Sequence, residues 1–325
     1  MAEELAHVRT LRLVPRAPFH FDATLHKPDH FPSGDNLWEP GVRWQTALWR
    51  GEPLGLRIAN AGDVNDPAIE VAVWSRRALD DALVASLQEE LRYRLNLDLD
   101  LGPFDRRFAG DPQLGPVIAR WRGMRPAHFG SLYDYLIVAI VLQNAVIRRS
   151  IHMMQALYER FGTLLRFDGV ELYAMWPPEA MDDVAEEELR ALKVGYRAKA
   201  IKRVSAALAR GEVDEFDLRG RSADEQRAAL LRLYGVGPAS VWYILFDVFH
   251  RLDELNHVSP WEQRIYSRLF CGCCHDGLVP VETLLALLRD RFGDYRMLAV
   301  HYLWEDLFWR REREQIPWLE ELIRR

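Results

Sequence analysis

Side chains that can carry acid–base chemistry are concentrated between residues 247 and 262 of the 325-residue chain. The carboxylates of this stretch are Asp247, Asp253, Glu254 and Glu262. A carboxylate can stabilise a developing positive charge or activate a water molecule. His257 could transfer a proton near neutral pH, or it is an ordinary loop histidine. This stretch therefore holds the candidate catalytic groups, although Asp247 falls in the middle of a predicted helix and is less suited to the task.

The sequence Ser259-Pro260-Trp261-Glu262 has the pattern of a helix N-terminus. Serine followed three residues later by glutamate is a capping box, and proline suits the first helical position. In that arrangement Ser259 caps the helix, and Glu262 reaches back to the Ser259 amide. A structural role accounts for both residues, while a rotated Glu262 remains a candidate acid.

Three cysteines, Cys271, Cys273 and Cys274, lie within four positions. Thiols this close together do not make a disulfide framework. Together with His275 they could be interpreted as a metal site, but the spacing is too tight for the paired knuckles that enclose zinc. Three cysteines also cannot supply a four-cysteine iron–sulfur cluster. We expect buried or loop thiols, no metal bound to them and no cofactor.

The stretch LYGVGPASVW (233–242) joins two apolar segments through a Gly-x-Gly corner. Gly235 can take the left-handed position that ends a helix, and Pro238 suits the first turn of the next one. Backbone N–H groups at such a corner can bind a phosphate, since Gly235 and Gly237 have no side chain to block it. Predicted contact residues are therefore Gly235, Val236, Gly237, Pro238 and Ser240, with room for a structural cation. A turn without a ligand is the alternative.

A basic segment precedes this corner. No acidic residue interrupts residues 190–210, whose cations are Arg190, Lys193, Arg197, Lys199, Lys202, Arg203 and Arg210. Positive charge beside two helix N-termini suits the phosphates of a duplex, and we expect Lys193, Arg197 and Lys199 to contact them. A solvated helix face is the alternative.

The elements that position these groups fall into two regions. Branched and aromatic runs at 43–50, 54–60 and 68–75 predict an antiparallel sheet, and leucines at every fourth position predict a helix over 77–95. After Gly102 the pattern is helical. We therefore predict a mainly α protein, with a small α+β domain over residues 1–105 and an all-helical domain over residues 106–325.

Composition limits the function classes. The net charge is −6, so contact with a polyanion must be local rather than a property of the whole surface. There is no 18-residue apolar run, and the first nine residues do not resemble a signal peptide. We expect a cytoplasmic monomer that does not contact membranes, associated with the nucleoid in a prokaryote.

The order of these parts resembles the helix–hairpin–helix (HhH-GPD) DNA glycosylases, especially the 3-methyladenine glycosylase II and 8-oxoguanine glycosylase branches. The resemblance lies in IVLQNAVIRRSIHMMQALYERFG (140–162), LKVGYRAKAIKRVSAAL (192–208), LYGVGPASV (233–241) and HVSPWEQRIYSRLF (257–270), in that order. FHFDATLHKPDHFP and GVRW are similar to the N-terminal domain of those two branches. It implies a two-part helical domain behind the α+β domain, and binding to double-stranded DNA that contains a damaged base.

The resemblance also implies roles for individual residues. Gln143 and Asn144 match the loop that fills the gap left by an extruded base, and Trp242, Trp261, Tyr266 and Trp304 are candidates to stack on that base. The family's catalytic aspartate corresponds to Ser259, which is neutral. The family's Schiff-base lysine corresponds to Ala239.

These departures leave two functions open, and a helical protein with no nucleic-acid role is a third interpretation. One is a monofunctional base-excision-repair glycosylase, with Glu262, Asp253 or Glu254 as a substitute acid and a purine lesion as substrate. The other is a catalytically inactive protein that binds damaged DNA.

Overall fold

The N-terminal part is built on a five-stranded antiparallel sheet. We describe a computed structural model, which covers residues 2–28, 33–272 and 277–324. The sheet has the order β2-β6-β5-β4-β3. Its strands are β2 (Ala6–Leu13), β3 (Asn36–Glu39), β4 (Val42–Trp49), β5 (Glu52–Asn60) and β6 (Ile69–Ser75), after a short β1 (Glu3–Glu4). The three predicted strands correspond to β4, β5 and β6, and β2 and β3 were not predicted.

Helices α1 (Phe21–Leu25) and α2 (Asp81–Arg94) belong to this part of the chain. Leu87 and Leu91 of α2 are buried against apolar side chains of the sheet, such as Leu54 and Ile58. The predicted α+β character of the N-terminal part is therefore confirmed.

A second hairpin corrects the prediction of an all-helical second region. Strands β7 (Thr163–Phe167) and β8 (Val170–Ala174) pair with each other, and β1 pairs with β7. Asp168 and Gly169 connect them with φ angles of 46° and 80°, which is the backbone that a tight two-residue hairpin turn requires. The residues on either side of the Asp-Gly turn alternate between buried and exposed positions and form strands, although the neighbouring segments of the chain are helical.

Thirteen helices follow the N-terminal part within the described residues, and most form two lobes with separate apolar cores. Their bounds are α3 (Gly102–Phe108), α4 (Leu114–Arg120), α5 (Leu132–Leu142), α6 (Ile147–Phe161), α7 (Glu186–Ala191), α8 (Arg197–Ala209), α9 (Glu215–Arg219), α10 (Ala223–Leu231), α11 (Pro238–Asp247), α12 (Pro260–Cys271), α13 (Val281–Phe292), α14 (Arg296–Arg311) and α15 (Pro317–Arg324). One lobe spans residues 132–249, and the other combines α3 and α4 with α12 to α15. The helical domain thus has the predicted two parts.

The predicted domain boundary falls within helix α3. Phe104 and Phe108 of α3 are buried in the second helical lobe, so a boundary after residue 105 divides this helix. A boundary before Gly102 keeps α3 with the core in which its side chains lie.

Helix α11 lies between the two lobes and packs against both. Val241 and Ile244 pack in the first lobe, whereas Trp242 and Phe246 pack in the second. The N-terminus of α11 is the glycine corner, so the corner and the junction of the lobes are held by one rigid element. Within the described residues, no helix is long and apolar enough to cross a membrane.

Candidate nucleic-acid interface and base cleft

The corner between α10 and α11 is a hairpin whose two glycines have different functions. Gly235 has a φ of +84°, and a Cβ atom built there would lie 2.6 Å from the Cβ of Ala200 on α8. Val236 is buried in the first lobe and anchors the turn. Gly237 is the N-cap of α11, and nothing lies within 4 Å of a Cβ built on it. Gly237 and the exposed Pro238 and Ala239 therefore present the open N-terminus of α11 to solvent.

The loop between α5 and α6 is bonded directly to this hairpin. The side-chain amide of Gln143 donates a hydrogen bond of 2.6 Å to the Gly235 carbonyl. The Tyr196 hydroxyl, just before α8, donates to the Gln143 carbonyl at 3.3 Å, and Asn144 donates to that hydroxyl at 3.2 Å. The predicted gap-filling loop, the α8 N-terminus and the hairpin therefore form one surface. Because Gln143 holds the hairpin, the exposed Asn144 is the residue of the pair better placed to project from it.

Arg197 differs from its predicted role as a phosphate contact. Its side chain is 1% exposed, and its guanidinium donates to the backbone carbonyls of Gln143 and Val194. A guanidinium held in this way cannot reach a phosphate. Arg197 instead fixes the loop between α5 and α6 against α8.

The remaining cations of the basic segment divide into two groups. Lys199 and Arg203 lie over the ring of the exposed Tyr234, 5.3 and 4.4 Å from its centre, next to the hairpin. Lys193 is exposed in the turn before α8. The other three are engaged elsewhere: Arg190 with Glu186, Lys202 with the carbonyls of Asp182 and Val184, and Arg210 with Glu212. The positive surface beside the hairpin is therefore narrower than the basic segment predicts.

A cleft opens beside α11, between this helix, α12 and α14. Trp242, Tyr266 and Trp304 line it, as does Tyr243, whose ring stacks on Trp242 with centres 4.0 Å apart. Trp261 is not among the lining residues, but it packs edge-on against Trp304. Aromatic rings along a cleft are suited to stacking on a flat heterocycle.

Ser259 and Glu262 form the predicted capping box at the start of α12. The Ser259 amide donates to Oε2 of Glu262 at 2.7 Å, and the Glu262 amide donates to the Ser259 hydroxyl at 3.3 Å. Glu262 is 3% exposed and also lines the cleft. Burial raises the pKa of this carboxyl, against the opposing effect of hydrogen bonds from Ser259 and Tyr243. One residue therefore caps the helix and places a carboxylate in the cleft.

Of the other candidate acids, only Asp247 reaches the cleft. It forms an ion pair of 3.2 Å with Lys27, and both side chains line the cleft. Glu254 accepts from Arg227 and Asn256 instead.

Asp253 and His257 are not among the residues that line the cleft. Burial lowers the pKa of His257. Neither Asp253 as a substitute acid nor His257 as a proton donor therefore lies in the cleft.

Several residues of the cleft were not predicted from the sequence. Lys27 comes from the α+β domain, 220 residues before its partner Asp247, so no local spacing could indicate the pair. His301 and Glu305 also line the cleft. They are four residues apart on α14, and residues with this spacing lie on the same face of a helix. Their spacing around Trp304 was the one signal in the sequence that could have indicated them.

One cluster of described residues has atoms close enough to share a metal ion: Glu90, His128 and Glu215. Both carboxylates already accept hydrogen bonds from Arg219, and Glu90 accepts another from Arg94. Positive charge next to the cluster opposes a metal ion, so the donor set does not fit one. Cys271 is exposed, and Cys273, Cys274 and His275 lie outside the described residues.

The architecture is similar to that of the helix–hairpin–helix DNA glycosylases: an α+β domain is followed by two helical lobes that meet at the hairpin helix. No family model matches the chain. A curated protein from Methanothermobacter thermautotrophicus, described as a probable N-glycosylase/DNA lyase, is 27% identical over 225 residues, which are 62% of this chain and 70% of that protein.

Solved structures share the fold over nearly the whole chain. The 3-methyladenine DNA-glycosylase from Archaeoglobus fulgidus has a TM-score of 0.73 at 17% identity, over 92% of this chain and 99% of its own. MBOgg1, solved in complex with a low-affinity DNA ligand, has a TM-score of 0.70 at 22% identity, over 97% and 100%. The Clostridium acetobutylicum 8-oxoguanine glycosylase/lyase has a TM-score of 0.67 at 16% identity, over 94% and 99%. The resemblance stated from the sequence is confirmed.

Proposed function

We propose that this protein is a monofunctional DNA glycosylase of base-excision repair, which extrudes a damaged purine from duplex DNA into the cleft beside α11. The observation that carries the proposal is the Glu262 carboxylate, buried in an aromatic cleft at the start of the helix that follows the hairpin. The curated relative is described as a probable N-glycosylase/DNA lyase, two of the solved structures named above are described as glycosylases, and MBOgg1 was solved with a DNA ligand.

DNA binding is assigned to the surface around the hairpin. The N-terminus of α11 offers backbone N–H groups to a phosphate, and Gly237 leaves room for it to approach. Lys199 and Arg203 add positive charge next to this point. Asn144 is exposed on the adjoining loop, where its amide can enter the gap left by the extruded nucleotide.

The chemistry is assigned to Glu262. Cleavage of a glycosidic bond develops positive charge on the sugar, which a nearby carboxylate stabilises while it orients or activates water. Although residue 259 is a serine, Oε2 of Glu262 lies 2.7 Å from the Ser259 amide, so the charge sits at the N-terminus where the family's aspartate belongs. A pKa raised by burial favours a base that works near neutral pH. Ala239 provides no amine, so water rather than lysine is the nucleophile at this position.

A second function is favoured by one specific observation: Glu262 is already engaged as a capping residue. If that engagement holds the carboxylate away from the sugar, the protein binds damaged DNA without cleaving it.

The test compares Glu262→Gln with Glu225→Gln. Ser222 and Glu225 form an equivalent capping box at the start of α10, with the Ser222 amide donating to Glu225 at 2.9 Å, away from the cleft. Glutamine can also complete a capping box, so both variants should fold.

Each protein is incubated with duplexes that contain alkylated, oxidised or deaminated purines, or a tetrahydrofuran abasic analogue. We expect Glu262→Gln to slow base release by about 100-fold or more and Glu225→Gln to leave it unchanged, with both variants binding the tetrahydrofuran duplex. Binding without release by the unmodified protein would establish the second function. Absence of salt-sensitive DNA binding would refute both.

A further inference from the structure

We propose that Tyr243 is a positioning residue for Glu262: its hydroxyl donates a hydrogen bond to this carboxylate and holds it in the charged form that the proposed reaction requires. The inference rests on the proposed function, because it concerns the group to which the chemistry is assigned. The contact joins α11, which carries the hairpin at its N-terminus, to the first turn of α12.

Tyr243 connects the buried carboxylate to the protein surface. Both side chains line the cleft, and the tyrosine hydroxyl hydrogen-bonds the Glu262 carboxyl. Glu262 is 3% exposed, whereas Tyr243 is 45% exposed. The hydrogen-bonded pair therefore extends from the interior of the second lobe to the surface of the hairpin helix, the surface to which the proposed function assigns the duplex.

The ring of Tyr243 is held in place by its neighbour Trp242. The two rings stack with centres 4.0 Å apart and an angle of 20° between their planes. Trp242 is itself 5% exposed and packs in the core of the second lobe. A hydroxyl on a ring that packing fixes is preorganised for one acceptor, which is the arrangement that a positioning residue requires.

Two opposing effects decide whether Glu262 is charged. Burial favours the neutral acid and raises the pKa of this carboxyl. Hydrogen bonds from Ser259 and Tyr243 stabilise the carboxylate and oppose that rise. The Ser259 contact belongs to the capping box of α12, so removal of the Tyr243 hydroxyl is the change that leaves the helix N-terminus intact.

Other titratable side chains face the same cleft and influence its charge. They come from α11, α12, α14 and the segment after α1, and they are Asp247, Tyr266, His301, Glu305 and Lys27. The test therefore observes Glu262 itself. It compares proteins that differ by one hydroxyl, so the contributions of these side chains are the same in each.

The experiment compares Tyr243→Phe with Tyr302→Phe. Tyr302 lies on α14, where its hydroxyl donates to the Met124 carbonyl at 2.6 Å, and it is not among the residues that line the cleft. Both substitutions remove one hydrogen-bonding hydroxyl, but only Tyr243→Phe changes the surroundings of Glu262. Circular dichroism checks that each variant is folded.

The first measurement follows the Glu262 carboxyl by NMR across pH, in protein labelled with carbon-13 at the glutamate side-chain carboxyls. The signal is assigned by its absence from Glu262→Gln. We expect Tyr243→Phe to move the titration midpoint to higher pH, because loss of a hydrogen bond to the charged form increases the proton affinity of the carboxylate by about tenfold. Tyr302→Phe should leave the midpoint in place.

The second measurement is the rate of base release across pH from the purine-lesion duplexes described above. Protein is in excess over DNA, so differences in affinity do not enter. The charged carboxylate is the active form, so release should slow as the pH falls through the pKa of Glu262. In Tyr243→Phe this decline should begin at higher pH, with release about tenfold slower on the acid side and nearly unchanged at higher pH. A purely structural tyrosine would lower the rate equally at every pH.

The outcomes separate this inference from the proposed function. An unchanged titration midpoint of Glu262 in folded Tyr243→Phe would overturn the inference, whatever the rate of base release. A raised midpoint with an unchanged pH dependence of release would overturn it as well, because Tyr243 would not serve the reaction. No base release by the unmodified protein at any pH would instead refute the proposed function and, with it, the role assigned to Tyr243.

Discussion

Alanine substitutions at the two hairpin glycines should affect different properties of the protein. At Gly235 the backbone has a φ of +84°, which costs about 1–2 kcal/mol for a residue with a Cβ atom. The new Cβ would also lie 2.6 Å from the Cβ of Ala200, and relieving such a clash in a packed region costs about 1–3 kcal/mol. Gly235→Ala should therefore lower the free energy of unfolding by about 2–5 kcal/mol.

Gly237→Ala should leave stability nearly unchanged and weaken DNA binding. Its φ of −113° and ψ of 174° are open to alanine, and no atom lies within 4 Å of the added Cβ. Alanine is a poorer N-cap than glycine, but it also lowers the entropy of the unfolded chain, so the net change should be within about 0.5 kcal/mol. The added methyl group blocks a phosphate at the N-terminus of α11, and loss of one charge-assisted hydrogen bond corresponds to about a tenfold weaker affinity or more.

Urea unfolding and titration of a tetrahydrofuran duplex measure the two properties separately. A double-mutant cycle isolates the clash: Gly235→Ala combined with Ala200→Gly should recover about 1–3 kcal/mol relative to the sum of the single changes. Absence of that coupling would refute the packing explanation for Gly235. Equal destabilisation by the two alanine variants would refute the division of functions between the glycines.

Two further predictions concern a buried histidine and the basic segment. Burial lowers the pKa of His250 from 6.5 to about 3, so the unfolded chain takes up a proton below pH 6.5 that the folded protein refuses. The free energy of unfolding should therefore be unaffected by this group above pH 6.5, and it should decline by up to about 1.4 kcal/mol per pH unit toward pH 3. Asparagine tolerates the φ of 56° at this position, so His250→Asn should remove this contribution when urea unfolding is measured across pH. An unchanged dependence of the unfolding free energy on pH would contradict the prediction. Lys199→Gln should reduce the slope of log DNA affinity against log salt concentration by about 1. Lys202→Gln should not change this slope, because backbone carbonyls hold the Lys202 ammonium. Equal effects of the two substitutions would contradict the assigned DNA-binding surface.

The sequence was sufficient to predict those features that depend only on residues close together in the chain. The capping box of Ser259 and Glu262 follows from two side chains three positions apart, and it is present. The left-handed Gly235 and the N-terminal Pro238 likewise depend on backbone preferences that each residue carries by itself. Alternation of branched residues was enough to predict β4, β5 and β6.

Long-range packing explains what the sequence did not reveal. Arg197 belongs to a basic segment, yet its guanidinium is turned inward because the loop between α5 and α6 supplies a backbone acceptor 54 residues away, the Gln143 carbonyl. The β7–β8 hairpin is stabilised from outside the helical region, where the Phe167 ring covers Gly55 of β5 and Trp44 donates to Asp168. Lys27 enters the cleft from another domain. None of these contacts has a spacing that periodicity can detect.

The double engagement of Glu262 can be weighed by magnitude. If the carboxylate turned fully toward a bound sugar, the Ser259 amide would lose its acceptor, and a hydrogen bond to a charged group contributes about 1.5–3 kcal/mol. Preorganised electrostatic stabilisation of a transition state contributes about 2.7–4 kcal/mol from a single group. Capping and catalysis are therefore compatible in Glu262, because releasing the Ser259 hydrogen bond costs about as much as, or less than, the stabilisation that one preorganised group contributes to a transition state.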